Sequence, residues 1–292
     1  VIPVAHLHQW SQHAPWVDLR QVEQDLIISR ALADLFSSES LRGKLAFRGG
    51  TAINKLLFAK PLRYSEDIDL VQIQGEPIKN TVAEIRQVLS WLGKCSFSAA
   101  AHSVQLVFRF SPETDSASQM KLKVEINTRE HESLYGLRRY PFAFDSDWYR
   151  ARAELVSYEP EELFGTKLRA LLQRHKNRDL FDLHQGLLQS ELETDRVVAT
   201  FEHYLRLEGL TISRANAEER MLKKLNRSLT EDVVPLLPSG ITFSDGEAMT
   251  AFSRVWHGLI QRIAGEPWKS TQPVIEKLRQ SRWPGFLSDA AK

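Results

Sequence analysis

Apolar residues recur at helical spacing between Val17 and Phe36, where Val17, Val22, Ile27, Ile28, Leu32 and Leu35 predict an amphipathic helix. Leu45–Phe47 then reads as a short strand running into Arg48-Gly49-Gly50-Thr51. A helix over 51–58 follows and stops before Pro61. From Glu66 to Gln72 the pattern changes to strict alternation. Ile68 and Leu70 take one face of the predicted strand, Asp67 and Asp69 the other. A helix is predicted over 81–92. Two further strands follow, at 104–110 (Val104, Leu106, Phe108, Phe110) and 121–127 (Leu122, Val124, Ile126 inward), joined by a polar turn at 111–118. Past Glu159-Pro160 the texture is helical, with helices over 161–174 and 179–189 and no clear strand beyond. The division is an α/β part, 1–158, and a helical part, 159–292, ending in a loose tail at Trp283-Pro284-Gly285.

Composition narrows this picture modestly. The 292 residues, 42% hydrophobic and 26% charged, suit a globular protein with a sizeable core. No run of eighteen apolar residues predicts a membrane span, and residues 1–9 do not read as a signal peptide. The lone Cys95 excludes an internal disulfide framework and fits a cytoplasmic location. Net charge is +1, so the sum says nothing about a nucleic-acid partner. The distribution says more: Lys167, Arg169, Arg174, His175, Lys176 and Arg178 form one basic group, and Arg220, Lys223, Lys224 and Arg227 a second. Such groups could meet phosphates. Solvated helix faces are the plain alternative.

The paired aspartates carry the candidate chemistry. Residues two apart on a strand face the same way, roughly 6–7 Å apart, so Asp67 and Asp69 can serve one site. Converging carboxylates repel unless a cation lies between them. A hard divalent ion takes oxygen ligands and leaves positions for substrate phosphates. By itself Asp-x-Asp is more often an exposed strand end. Its neighbours change the reading: Gly49 and Gly50 lie between a strand and a helix, where backbone amides can approach a phosphate, and Thr51 can cap the helix or bind phosphate. Glu125, on the polar face of another strand, offers a third carboxylate for the metal or for activating a hydroxyl. Its plain alternative is a solvent-facing residue beside Lys123, and Asp115 and Glu130 are weaker candidates.

Phe47-Arg48-Gly49-Gly50-Thr51-Ala52, followed by Arg63-Tyr64-Ser65-Glu66-Asp67-Ile68-Asp69-Leu70, resembles the AbiEii-type nucleotidyltransferase toxins of the polymerase-β-like superfamily. Val22-Glu23-Gln24-Asp25 is similar to the helical motif before the family's core. Lys167-x6-Arg174-x3-Arg178-Asp179-x2-Asp182-Leu183 is similar to its second signature, and the resemblance spans roughly 20–190. It implies an α+β fold: a nucleotidyltransferase core of mixed sheet with flanking helices, then an all-helical C-terminal region. It also implies a magnesium-dependent enzyme (manganese the alternative) that moves a nucleoside monophosphate from an NTP to an acceptor, in some relatives the tRNA 3′ end. The protein would be the toxin of a toxin–antitoxin or phage-defence pair, with a cognate antitoxin as partner. On this reading Asp67, Asp69 and Glu125 hold metal, and Gly49, Gly50, Thr51, Ser65, Lys167 and Arg174 hold nucleotide. Lys167 balances the triphosphate's charge, and Glu125 or Asp182 positions or deprotonates the acceptor. Lys167 and Arg174, seven residues apart, share a helix face; Asp179, near a helix start, reads as structural, a partner for Arg174 or Arg178. Two departures stand out: fifteen residues separate Thr51 from Asp67, and the third carboxylate is a glutamate. A protein or small-molecule acceptor, and a non-enzymatic nucleotide- or RNA-binding module, are the competing readings. The region after about 195 carries no motif, and Trp256 and Trp268 read as core or interface residues.

Overall fold

A computed structural model describes residues 2–113 and 118–287, so part of the predicted 111–118 turn, Asp115 included, lies outside the described residues. The chain divides into two compact units, one of residues 1–159 with 237–240 and one of 160–236 with 241–292.

The first unit is built on a seven-stranded sheet. In chain order its elements are α1 (Val4–Trp10), α2 (Leu19–Ser37), α3 (Glu39–Arg42), β1 (Leu45–Arg48), α4 (Gly49–Leu56), β2 (Asp67–Gln72), α5 (Lys79–Val88), β3 (Cys95–Ala99), β4 (Ser103–Phe110), β5 (Met120–Asn127), β6 (Leu137–Asp145) and β7 (Arg150–Tyr158). The strand order is β3-β4-β5-β2-β1-β7-β6. The sheet is mixed: β2–β5 and β1–β7 run parallel, the other neighbours antiparallel. The alternation read from the sequence becomes burial. Ile68, Leu70, Leu122, Val124, Ile126, Val104, Leu106 and Phe108 are all buried, which stabilises each by roughly 1.5–3 kcal/mol relative to exposure. Helix α2 packs on β7, and α4 on β1 and β2. The Asp18 carboxylate caps α2 by accepting the Arg20 N–H at 2.9 Å.

Three strands were not foreseen. β3 and β6 are the two edges of the sheet, and an edge strand with open faces has no need for period-two burial. β6 carries Arg138, Arg139 and Pro141, residues that suit an edge and mask a strand in the sequence. β7 alternates only weakly along its first half. One predicted helix is shorter: α5 stops at Val88 and the chain tightens into a 3-10 turn over Ser90–Leu92.

The second unit consists of α6 (Pro160–Gln173), α7 (Arg178–Gln189), α8 (Thr194–Leu207), α9 (Arg214–Lys224), α10 (Asp245–Gly258) and α11 (Thr271–Ser281), with no strand among its described residues. Helices α6 and α8 lie close because Gly165 has no side chain; a Cβ there would meet the Thr200 side chain at 2.4 Å. Phe164, Leu168, Phe201, Phe252 and Trp256 are buried, and Trp256 stacks on Phe252 with ring centroids 5.9 Å apart. Trp268 is half-buried. No described helix is long and apolar enough to cross a membrane.

Candidate active site

The parallel pairing of β2 with β5 sets Asp67 opposite Lys123 and Asp69 opposite Glu125. Neighbouring strands lie about 4.8 Å apart and paired residues share a face. Asp67, Asp69, Glu125 and Lys123 therefore form one polar patch on the sheet face opposite Ile68, Leu70 and Val124. The Lys123 ammonium sits inside it, 3.0 Å from Asp67 Oδ2 and 3.4 Å from Glu125 Oε2. Burial alone would lower the Lys123 pKa, but Asp67, with Glu125 and Asp69 behind it, more than offsets this and holds it above the ordinary lysine value. Glu125 also accepts from Gln105 Nε2 at 3.2 Å.

This donor set suits a hard cation. All three acids offer oxygens, all remain part-exposed, and a cationic group already lies among them. Among the described residues, however, no three His, Cys, Asp or Glu side chains converge into a finished metal cage. Within the patch, Lys123 is the cation that pairs with Asp67 and Glu125.

Gly49 sets the position of Asp69. It begins α4 with φ +84°, and a Cβ at this point would fall 2.2 Å from Asp69 Oδ2. Only glycine permits both the backbone angle and the approach. Helix α4 starts without a side-chain cap, leaving its first turn to other partners.

Thr51 lies in the first turn of α4. Its side chain is buried, and its hydroxyl donates to the Asp67 carbonyl at 2.6 Å and lies 2.8 Å from Ser65 Oγ. The residue fastens α4 to the start of β2, and Ser65 is a member of the same tie. Asn54 secures the intervening loop: its amide donates to Gly50 O at 3.0 Å and its Oδ1 accepts from the Leu62 and Arg63 N–H groups. That clamp accommodates the long spacing between Thr51 and Asp67.

The Val22-Glu23-Gln24-Asp25 motif supplies supports that the sequence reading left without a task. Gln24 Nε2 donates to the carbonyls of Glu66 and Lys121, both at 3.0 Å, and so pins the entrances of β2 and β5 side by side. Asp25, buried, receives Trp10 Nε1 at 2.9 Å and Lys55 Nζ at 3.1 Å, tying α1 and α4 to α2. Glu23 accepts the Glu113 N–H at 3.1 Å; burial pushes its carboxyl above the usual range. Arg48 pairs with Glu130, which accounts for that acid without a part in the Asp67 patch.

The second signature forms its own network in the helical unit. Lys167 on α6 is buried and pairs with Asp179 at 3.1 Å and Asp182 at 3.0 Å, both on α7. Arg174 grips Asp179 with two bonds of 2.7 Å, through Nε and Nη2. The shared helix face of Lys167 and Arg174 is thus realised as a shared carboxylate. Burial would raise the Asp179 pKa; Lys167 and Arg174 overcome it and hold the group far below the carboxylate range. Asp182 is itself buried against Lys167.

Comparison with known proteins agrees with this architecture. The family model described as "Nucleotidyl transferase AbiEii toxin, Type IV TA system" matches residues 30–289, well past the motifs and through most of the helical unit. Among solved structures, MenT4, a nucleotidyltransferase toxin from Mycobacterium tuberculosis H37Rv, superposes with a TM-score of 0.62 at 15% identity, covering 94% of this chain and 95% of that one. JHP933 from Helicobacter pylori has a TM-score of 0.47 at 17% identity, covering 89% and 94%. No curated protein sequence matches. At 15% identity the likeness to MenT4 speaks for the fold alone, and the family match speaks for the chemistry: the chain belongs to the AbiEii nucleotidyltransferase toxin family.

Proposed function

We propose that this nucleotidyltransferase transfers a nucleoside monophosphate from an NTP to an RNA acceptor, the tRNA 3′ end, in a magnesium-dependent reaction that releases pyrophosphate. The observation that carries the reading is the Asp67–Asp69–Glu125 patch, with Lys123 among the acids and Gly49 against Asp69. Magnesium, or manganese in its place, would be held by Asp67 and Asp69 with Glu125 beside them, and when bound it supplies charge neutralisation at the reacting phosphate. Binding there competes with Lys123 for Asp67. Gly49 and Gly50, at the open start of α4, are suited to the nucleotide's phosphates, with Thr51 and Ser65 holding that helix against β2. Glu125, part-exposed, would orient the attacking hydroxyl or accept its proton, in preference to the buried Asp182. In the helical unit Arg174, exposed and oriented by Asp179, offers a cation to phosphates, with Lys167 buried behind it. Catalysis of this kind is positioning and electrostatics.

As a member of a type IV toxin family, the protein would act in the cytoplasm and be restrained by an antitoxin encoded nearby. The test is incubation of purified protein with each α-labelled NTP, magnesium and total tRNA. Label should enter RNA from one preferred nucleotide and stop on addition of EDTA. Transfer to protein instead, with none to RNA, would remove the tRNA reading.

A further inference from the structure

The two basic groups that stand apart in sequence meet in one place in the helical unit. A cleft of about 280 Å³ is lined by Arg174 and His175 from the end of α6 and its following turn, and by Arg220, Lys223 and Lys224 from α9. No acidic residue is among its described lining, which otherwise consists of Leu171, Leu172 and Gln173. Arg220, Lys223 and Lys224 fall at i, i+3 and i+4, one face of α9. Two of the cations are fixed by the end of α6: Arg220 Nη1 donates to Leu172 O at 3.0 Å and Lys224 Nζ to Arg174 O at 2.9 Å. Helix C-terminal carbonyls attract cations, so these bonds alone would be an ordinary cap.

The number and exposure of the charges exceed what a cap needs. Arg174, His175, Arg220 and Lys223 are exposed, as are Lys176 and Arg227 close by in sequence. The neighbouring acids are already engaged: Asp179 is buried between Lys167 and Arg174, Glu219 pairs with Lys223 at 2.7 Å, and Asp232 accepts the Asn177 N–H at 2.9 Å. Lys224 is held below the ordinary lysine value, chiefly by burial and against the pull of Asp179 and Asp232, so a further anion here would be welcome.

We propose that this cleft is a docking site for the phosphodiester backbone of the RNA acceptor, independent of the base sequence. The inference rests on the RNA-acceptor reading above. A lone phosphate needs two or three of these cations; a strand engages both the turn at 174–176 and the face of α9. Phosphate contacts position a nucleic acid without reading its sequence.

The experiment is fluorescence anisotropy of labelled tRNA with the full chain, at a series of salt concentrations. Each phosphate contact contributes roughly 0.7–0.9 to the slope of log K against log salt. Arg220→Gln with Lys223→Gln should lower that slope by about 1.5 and weaken binding about tenfold at moderate salt, leaving NTP binding unchanged. Lys223→Gln alone, an exposed residue that makes no bond to α6, should lower the slope by about 0.7–0.9 and show the effect without disturbing the α6 end. Inorganic phosphate and pyrophosphate are titrated alongside, and should displace RNA only at the level of chloride at equal ionic strength. Unchanged slopes in both variants would overturn the proposal. So would saturable binding of phosphate ion that needs Arg220 and Lys223 while RNA affinity does not. Because anisotropy requires no turnover, loss of binding in the variants with no label transfer by wild type would support the cleft while removing the acceptor reading.

Discussion

Two acid–base clusters in this protein use the same residue types to opposite ends. On β2 and β5, Asp67, Asp69 and Glu125 surround a single lysine and stay part-exposed. On α6 and α7, Asp179 and Asp182 face Lys167 and Arg174, with both acids buried and every charge matched inside the cluster. The first has more acid than base and lies open to solvent, so it can exchange its cation for another. The second is balanced, with Lys167 and both acids buried and only Arg174 reaching solvent, and breaking it strands a charge in a low-dielectric interior. Exposure and charge balance, not residue identity, separate the two clusters.

Asp69→Asn should lower transfer roughly 10²–10³-fold, the scale of losing one preorganised electrostatic contact, with an unchanged melting curve; steady-state label incorporation reads it. Asp179→Ala should do the reverse and act on the fold, costing about 3–5 kcal/mol in denaturant unfolding because Lys167 and Arg174 lose their buried partner. Gly49→Ala places a Cβ 2.2 Å from Asp69 Oδ2 at φ +84°, and should lower kcat about tenfold or more with about 1–2 kcal/mol of destabilisation. Lys123→Gln removes the resident cation. The magnesium concentration for half-maximal transfer should then fall about fivefold, the scale of one part-exposed ion pair of about 1 kcal/mol.

The pH response of the helical unit is gentler. The His184 pKa is held at about 4 by burial and the Arg254 charge, below its ordinary 6.5, so the unfolded chain takes up that proton first. Stability is unaffected above pH 6.5 and declines as pH falls from 6.5 to 4. Asp179, held low, adds its own loss only below about pH 4, as the unfolded chain's aspartate protonates. Thermal melts between pH 7 and 3 should show this order; the His184→Gln variant should flatten the upper step.

Much of the sheet was legible because burial on one face writes a period of two. β2, β4 and β5 follow from Ile68, Leu106 and Val124 and their neighbours. β3 and β6 were not, since edge strands with open faces carry no such pattern. At the candidate site, Asp67 and Asp69 could be read as a pair, but their register against Lys123 and Glu125 depends on a long-range parallel pairing that no local spacing encodes. Gly49 was legible as a permissive turn residue, whereas its contact with Asp69 was not. Gln24 illustrates the same limit. Its two carbonyl partners, Glu66 and Lys121, lie far along the chain, and only the folded sheet brings them within one amide's reach.

We propose that the β2 carboxylates form an exchangeable cation site that the reaction uses. Electron paramagnetic resonance titration of manganese into the protein with a non-hydrolysable NTP analogue tests it most directly. Wild type should bind manganese saturably, and Asp69→Asn, equally folded by circular dichroism, should lose that binding. Equal manganese binding by both proteins would contradict the account.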